Sequence, residues 1–172
     1  VSTQPGARIA PPEAVGAAPL HIVLVEPQIP PNTGNVARLC AATGCALHLV
    51  EPLGFSIDDR ALKRAGLDYW DALDVVMHPS LDAFFARFPP ARCWLLSTRA
   101  TRSYRDAPFA PGDALVFGKE TAGLPAAALH ANAQRSLRIP MRAGGVRSIN
   151  LATSVGIVAY EALAGLGFPS MT

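Results

Sequence analysis

The sequence predicts an α/β protein, a mostly parallel sheet with helices on both faces. Short, β-branched apolar runs recur along the chain, and stretches of helical spacing separate them. The runs are apolar throughout rather than alternating with polar residues, the pattern of strands buried on both sides. At 172 residues, half of them hydrophobic, the chain can bury one sizeable core without disulfides or metals.

Residues 1–19, VSTQPGARIAPPEAVGAAP, are dominated by Pro, Gly and Ala and cannot offset their own ordering entropy, so a flexible N-terminal tail is expected there. They also lack the basic stretch and continuous apolar run that export requires. A single domain is expected over 20–169, with 170–172 as the C-terminal end. LHIVLVE at 20–26 reads as a buried strand that ends in the turn PQIPPN. A helix follows, with Asn32 or Thr33 as cap, Val36, Leu39 and Cys40 on one face and Gly44 as its stop. ALHLVEP at 46–52 is a second strand, and DDRALKRAGL at 58–67 a short helix with an acidic start. Strands are further expected at 74–78, 93–98, 114–118 and 136–140, and helices at 80–87 and 125–133. The final helix begins near Ser148 and runs to about Leu166; Glu161 and its small-residue spacing make it a buried or interface helix rather than a membrane span.

Cys40, Cys45 and Cys93 form neither an even disulfide framework nor a CxxC pair, and the four histidines lie far from them in sequence. A reducing cytoplasm and no structural metal is the reading. Net charge is only +2, but the arginines are clustered: five from Arg87 to Arg105 and four from Arg135 to Arg147, with no acid in either segment. Such segments fit a phosphate-tracking surface and equally a solvated arginine-rich face.

In a parallel sheet, ligands gather at loops leaving the carboxyl ends of strands. Three such loops carry polar chemistry. EPQIPPNTGNVARLC brings Asn32, Asn35 and Arg38 to one helix end, where a phosphate or ribose could dock, although an ordinary helix start explains it too. FGKETAGLP at 117–125 superficially suggests a phosphate-binding loop, but Lys119 is followed by Glu rather than Ser or Thr. Glu120 would repel a triphosphate; it can accept hydrogen bonds, face a cationic ligand or complement a helix dipole. IPMRAGGVRSINLATSVGIVAYEAL joins a strand to the last helix, with Ser148 as N-cap and Asn150 in the first turn. Ala152, Ser154, Gly156 and Ala159 permit close helix approach, whether in the core or at an interface.

In that order, PPNTGNVARLC, FGKETAGLP and RIPM followed by RSINLATSVGIVAYEAL resemble the three signature motifs of the SPOUT superfamily of RNA methyltransferases, and within it the minimal TrmL branch. HLVEPLGFSIDD and LKRAGLDYW extend the likeness, which runs from about Leu20 to Pro169. The resemblance implies a C-terminal deep trefoil knot, which pattern reasoning alone would not propose. It implies S-adenosylmethionine as cofactor, with S-adenosylhomocysteine as product and no metal. Leu96, Ser97, Thr98, Gly118, Glu120, Ile139, Met141, Ser148 and Leu151 are its expected contacts. The implied reaction is 2′-O-methylation of the wobble nucleotide, position 34, of tRNA, in leucine isoacceptors, with Arg38, Asn32, Ser148 and Asn150 as the catalytic group. A homodimer with Tyr160 at its interface, an anticodon stem-loop held by Arg99, Arg102 and Arg142, a cytoplasmic location and no membrane association complete the expectation. The sequence departs from the pattern in its N-terminal tail, in the Gly pair of AGGVRS and at Lys119, where Pro or Asn is common. The competing readings are a ribose methyltransferase for ribosomal RNA or another tRNA position, and a noncatalytic module that binds RNA or a nucleotide.

Overall fold

The structure, a computed structural model, describes residues 18–57, 73 and 75–172. Its strands are β1 (Leu20–Val25), β2 (Ala46–Val50), β3 (Val75–His78), β4 (Cys93–Leu96), β5 (Arg102–Ser103), β6 (Asp113–Phe117) and β7 (Ser136–Arg138). They form one sheet in the order β3-β2-β1-β6-β4-β7-β5, with every pairing parallel. The described helices are α1 (Pro30–Thr43), α2 (Leu81–Arg87), α3 (Ala126–Ala131) and α4 (Leu151–Gly165), with short 3-10 turns at Pro90–Arg92, Tyr104–Asp106 and Ala133–Arg135.

Both faces of the sheet are buried, as the unbroken apolar runs require. Leu20, Ile22 and Leu24 of β1, Trp94 and Leu96 of β4, and Leu115 and Phe117 of β6 face one side, against Val36 and Cys40 of α1 and Val155, Ala159 and Leu163 of α4. Alternate residues Val23, Val25, Leu95 and Val116 face the other, against Phe84 of α2 and Leu124. Each fully buried Leu, Ile or Val contributes on the order of 1.5–3 kcal/mol relative to exposure. The buried Asp113 is fully engaged: it accepts from Trp94 Nε1 at 2.8 Å, Arg92 Nε at 3.2 Å and the Ala110 amide at 2.9 Å.

Several expected boundaries shift for identifiable reasons. Helix α1 starts two residues before Asn32: Ile29 is its N-cap and Pro30 its first residue. Proline suits that position because its φ is preset and its missing N–H would have been unpaired anyway. Neither Asn32 nor Thr33 therefore caps, and Gly44, at φ 71°, ends the helix as expected. In α4 the cap is Asn150 and not Ser148: the Asn150 side chain accepts from the Thr153 amide at 3.2 Å. Strands β2, β4, β6 and β7 end one or two residues early, where the chain turns into the loops that follow them. The two-residue β5 is too short to leave a period in the sequence. The expected helix at 58–67 lies outside the described residues.

Packing continues to both ends of the described body. The Pro19 carbonyl accepts from the Gly112 amide at 2.7 Å, and Met171 packs against the core beneath α4. Strand β7 lies between β4 and β5, which are joined only by the earlier segment 97–101. No helix among the described residues is long and apolar enough to cross a membrane.

Candidate active site

The sheet order sets the carboxyl ends of β1, β6, β4 and β7 side by side, so the loops that leave them enclose one cavity of about 770 Å³. All nine residues expected to hold a cofactor line it: Leu96, Ser97, Thr98, Gly118, Glu120, Ile139, Met141, Ser148 and Leu151. Asn32, Asn150 and Arg99 line it as well. Arg38 does not; it is exposed, further along α1. Arg142 is exposed outside the lining. Arg102 serves the protein's own fold: its guanidinium donates to the carbonyls of Gln134 and Asp106 and lies over the Trp94 ring at 5.4 Å.

The loop after β6 folds back on itself. The Gly123 amide donates to the Lys119 carbonyl at 2.8 Å, and Leu124 is buried. A Cβ on Gly118 would lie 2.1 Å from the Gly123 carbonyl carbon and 2.2 Å from the Leu124 nitrogen, so only glycine permits this path. The fold-back carries Glu120 to the start of α1. Its Oε2 accepts from the Gln28 amide at 2.8 Å, and its Oε1 accepts from the Ile29 amide and from Asn32 Nδ2, both at 3.1 Å. The carboxylate thus complements a helix N-terminus, but that of α1 rather than of the helix that follows it in sequence.

From Asn32 the network continues: Asn32 Oδ1 accepts from Asn150 Nδ2 at 2.9 Å, and Asn150 Oδ1 caps α4. Glu120, Asn32 and Asn150 therefore tie together the three loops quoted from the sequence. The early start of α1 is what frees the Asn32 side chain for this link. Among the described residues Glu120 is the only acid in the lining, and both its oxygens are engaged by three donors, so it holds these loops together.

Sequence reasoning did not single out Arg147, Ile29, Phe117 or Ser154 as site residues, yet all four line the cavity. Arg147 stands inside the quoted RSINL stretch, so its position beside Ser148 was the available signal. Tyr160 is 44% exposed on α4, its ring 6.3 Å from that of the equally surface-lying Phe168.

The lining fits an adenosyl group. Leu96, Phe117 and Ile139 supply apolar walls, the tight Gly118 turn lets a ligand approach backbone, and Ser97, Thr98 and Ser148 supply hydroxyls. Among the described residues no group of three or more His, Cys, Asp or Glu could hold a metal ion.

Known proteins resemble this chain over most of its length. A curated tRNA (cytidine(34)-2'-O)-methyltransferase of Saccharophagus degradans is 50% identical over 149 residues, covering 86% of this chain and 96% of its own. A solved structure described as giving structural insights into the 2-OH methylation of C/U34 on tRNA superposes with a TM-score of 0.82 at 48% identity, covering 88% of this chain and 99% of its own. An AdoMet-bound rRNA methyltransferase from Sinorhizobium meliloti superposes with a TM-score of 0.78 at 26% identity, over 92% of this chain and 62% of its own. The family model described as SpoU rRNA Methylase matches residues 19–160. That match takes in the first strand, every cavity loop and most of the last helix, and the chain belongs to the SpoU rRNA Methylase family.

Proposed function

We propose that the protein methylates the ribose 2′-hydroxyl of the wobble nucleotide, position 34, of tRNA, cytidine or modified uridine, using S-adenosylmethionine and releasing S-adenosylhomocysteine. The observation that carries this reading is the cavity itself. All nine expected cofactor contacts and three of the four expected catalytic residues converge on it, in a chain about half identical to curated tRNA (cytidine(34)-2'-O)-methyltransferases.

S-adenosylmethionine, when bound, supplies an electrophilic methyl group on a sulfonium. What this chain supplies is position. Backbone at Leu96, Gly118, Ile139 and Met141 holds the adenosyl group, with Ser97, Thr98, Ser148 and Leu151 beside it. Glu120 sets the Asn32 amide, Asn32 sets Asn150, and the two amides with Ser148 orient the ribose. Arg38 is assigned to the RNA side, where a guanidinium stabilises a developing alkoxide or grips the adjacent phosphate more readily than it gives up a proton. Arg99, Arg142 and the cavity-lining Arg147 are the phosphate contacts for an anticodon stem-loop.

The protein acts as a homodimer through α4 in this reading. The exposed pair Tyr160 and Phe168 supports that face, as does Gly156, around which no described atom lies within 4 Å of a would-be Cβ. A C-terminal trefoil knot, a single domain and a cytoplasmic location belong to the same reading. The test is transfer of radiolabelled methyl to unmodified and native tRNA pools, followed by mapping. Label on the wobble ribose is the expected result. Cofactor binding without label on any tRNA moves the assignment to ribosomal RNA.

A further inference from the structure

Three consecutive residues of the loop after β6 are each bonded to the loop after β1. Glu120 takes the Gln28 and Ile29 amides and Asn32, as described, and its neighbours flank that contact. Lys119 Nζ donates to Glu26 Oε2 at 2.7 Å, and Thr121 Oγ1 donates to Gln28 Oε1 at 2.7 Å. Glu26 is the first residue beyond β1 and has φ 49°, a left-handed backbone that non-glycine residues adopt only at a cost. Its amide is held by the Val50 carbonyl at 2.9 Å and its side chain by Lys119.

We propose that the Lys119–Glu26 ion pair is a positioning device for methyl transfer: it fixes the 118–124 loop against the 26–32 loop, so that Glu120 meets Asn32 and Asn32 meets Asn150. The inference rests on the proposed methyltransferase reading. Both side chains are about one-third exposed, and ion pairs of that kind contribute little to global stability, so a stabilising role does not account for the pair. Geometry does. Glu120 reaches its three donors only if its loop is held within hydrogen-bond distance of the 26–32 loop, and the pair ties the two loops one residue before that contact. Glu26 does not line the main cavity, so it acts through other residues rather than on substrate.

The test compares Lys119→Met, Glu26→Gln and the exchanged pair Glu26→Lys with Lys119→Glu in the full-length protein. Three readouts are taken: steady-state methyl transfer to tRNA, calorimetric affinity for S-adenosylhomocysteine, and the side-chain amide resonances of Asn32 and Asn150. Each single variant is expected to lower kcat about tenfold, change cofactor affinity and the KM for tRNA by less than about threefold, and shift both amide resonances. The exchanged pair is expected to recover transfer to within about threefold of wild type, the coupling that two contacting residues show. Single variants with unchanged kcat and unchanged amide signals overturn the proposal, as does an exchanged pair no better than the worse single variant. A tenfold loss of cofactor affinity overturns it too, because Lys119 would then be a cofactor contact. Absence of transfer by the wild-type protein counts against the methyltransferase reading alone, since the amide resonances still test the pair.

Discussion

Acid should unfold this protein through three buried histidines that lie away from the active site. His21 of β1, His48 of β2 and His78 of β3 form a chain: His21 Nδ1 lies 2.9 Å from His48 Nε2, and His48 Nδ1 lies 3.0 Å from His78 Nε2. All three are less than one-tenth exposed, packed against Phe84 and Phe88 of the same sheet face. Burial, with the nearby Arg92 charge second, holds His21 down to about 4. Burial, followed by the neighbouring His21 and His78, holds His48 down to about 3. His78 is lowered as well, by burial first and Arg87 second. Below the ordinary histidine range the unfolded chain binds protons that the folded one refuses, so stability is fully present above about pH 6.5 and is lost as pH falls towards 4. With His21 and His48 both refusing a proton, the slope is about 3 kcal/mol per pH unit between roughly pH 5.5 and 4.5. Two units of acidification therefore remove on the order of 4–5 kcal/mol, a large part of the 5–15 kcal/mol that holds a domain of this kind together. Urea unfolding between pH 7.5 and 4.5, with m checked for constancy, measures the slope directly. His48→Gln, which cannot titrate, should unfold more readily at neutral pH but with a slope shallower by about half. His21→Asn, at the end of the chain, serves the same purpose if the central substitution prevents folding. Unfolding free energies that do not change between pH 6 and 4.5, or a slope unaltered in both variants, would refute the reasoning.

Three further outcomes follow from the site. Asn150→Asp keeps an acceptor for the α4 cap but loses the donor to Asn32, so Tm should stay within a few degrees while methyl transfer falls about tenfold or more; equal losses in both would mean that the cap is its main role. Arg38→Ala should abolish transfer and leave S-adenosylmethionine affinity nearly intact by calorimetry, whereas loss of binding would make Arg38 structural. Arg147→Ala should raise the KM for tRNA and reduce the salt dependence of tRNA binding by about one counterion, with cofactor affinity unchanged. Lost cofactor affinity would place Arg147 on the cofactor instead.

The α/β class, the parallel sheet and the three site loops are legible in the sequence because they rest on local signals. A strand such as LHIVLV is apolar at every position only if both its faces are covered, and both are. The convergence of Leu96, Gly118, Ile139 and Leu151 on one cavity follows once the strands are parallel, since their carboxyl ends then share one edge. The order of the strands is not local: nothing in SLR at 136–138 says that it pairs with both CWLL and RS, and a two-residue strand has no period to read.

Side-chain partners are the other part that only the tertiary structure decides. Glu120 is a helix-start acid by sequence, yet the glycine-dependent fold-back at 118–124 delivers it to a helix that began ninety residues earlier in the chain. Ser148 and Asn150 are both good N-caps by residue type, and the choice falls on Asn150 because its side chain can reach Thr153 and Asn32 together. Arg102 and Arg147 look alike in their arginine-rich segments, but Arg102 is held over Trp94 by two carbonyls, while Arg147 lines the cavity. The sequence by itself determined which residues are apolar, which turns are tight and which loops carry polar chemistry, because these depend on neighbours a few positions away. Only the tertiary structure decided which polar groups meet, because each hydrogen bond of the Glu120–Asn32–Asn150 link joins residues some ninety to one hundred and twenty positions apart, whose separation is set by the packing of the whole sheet.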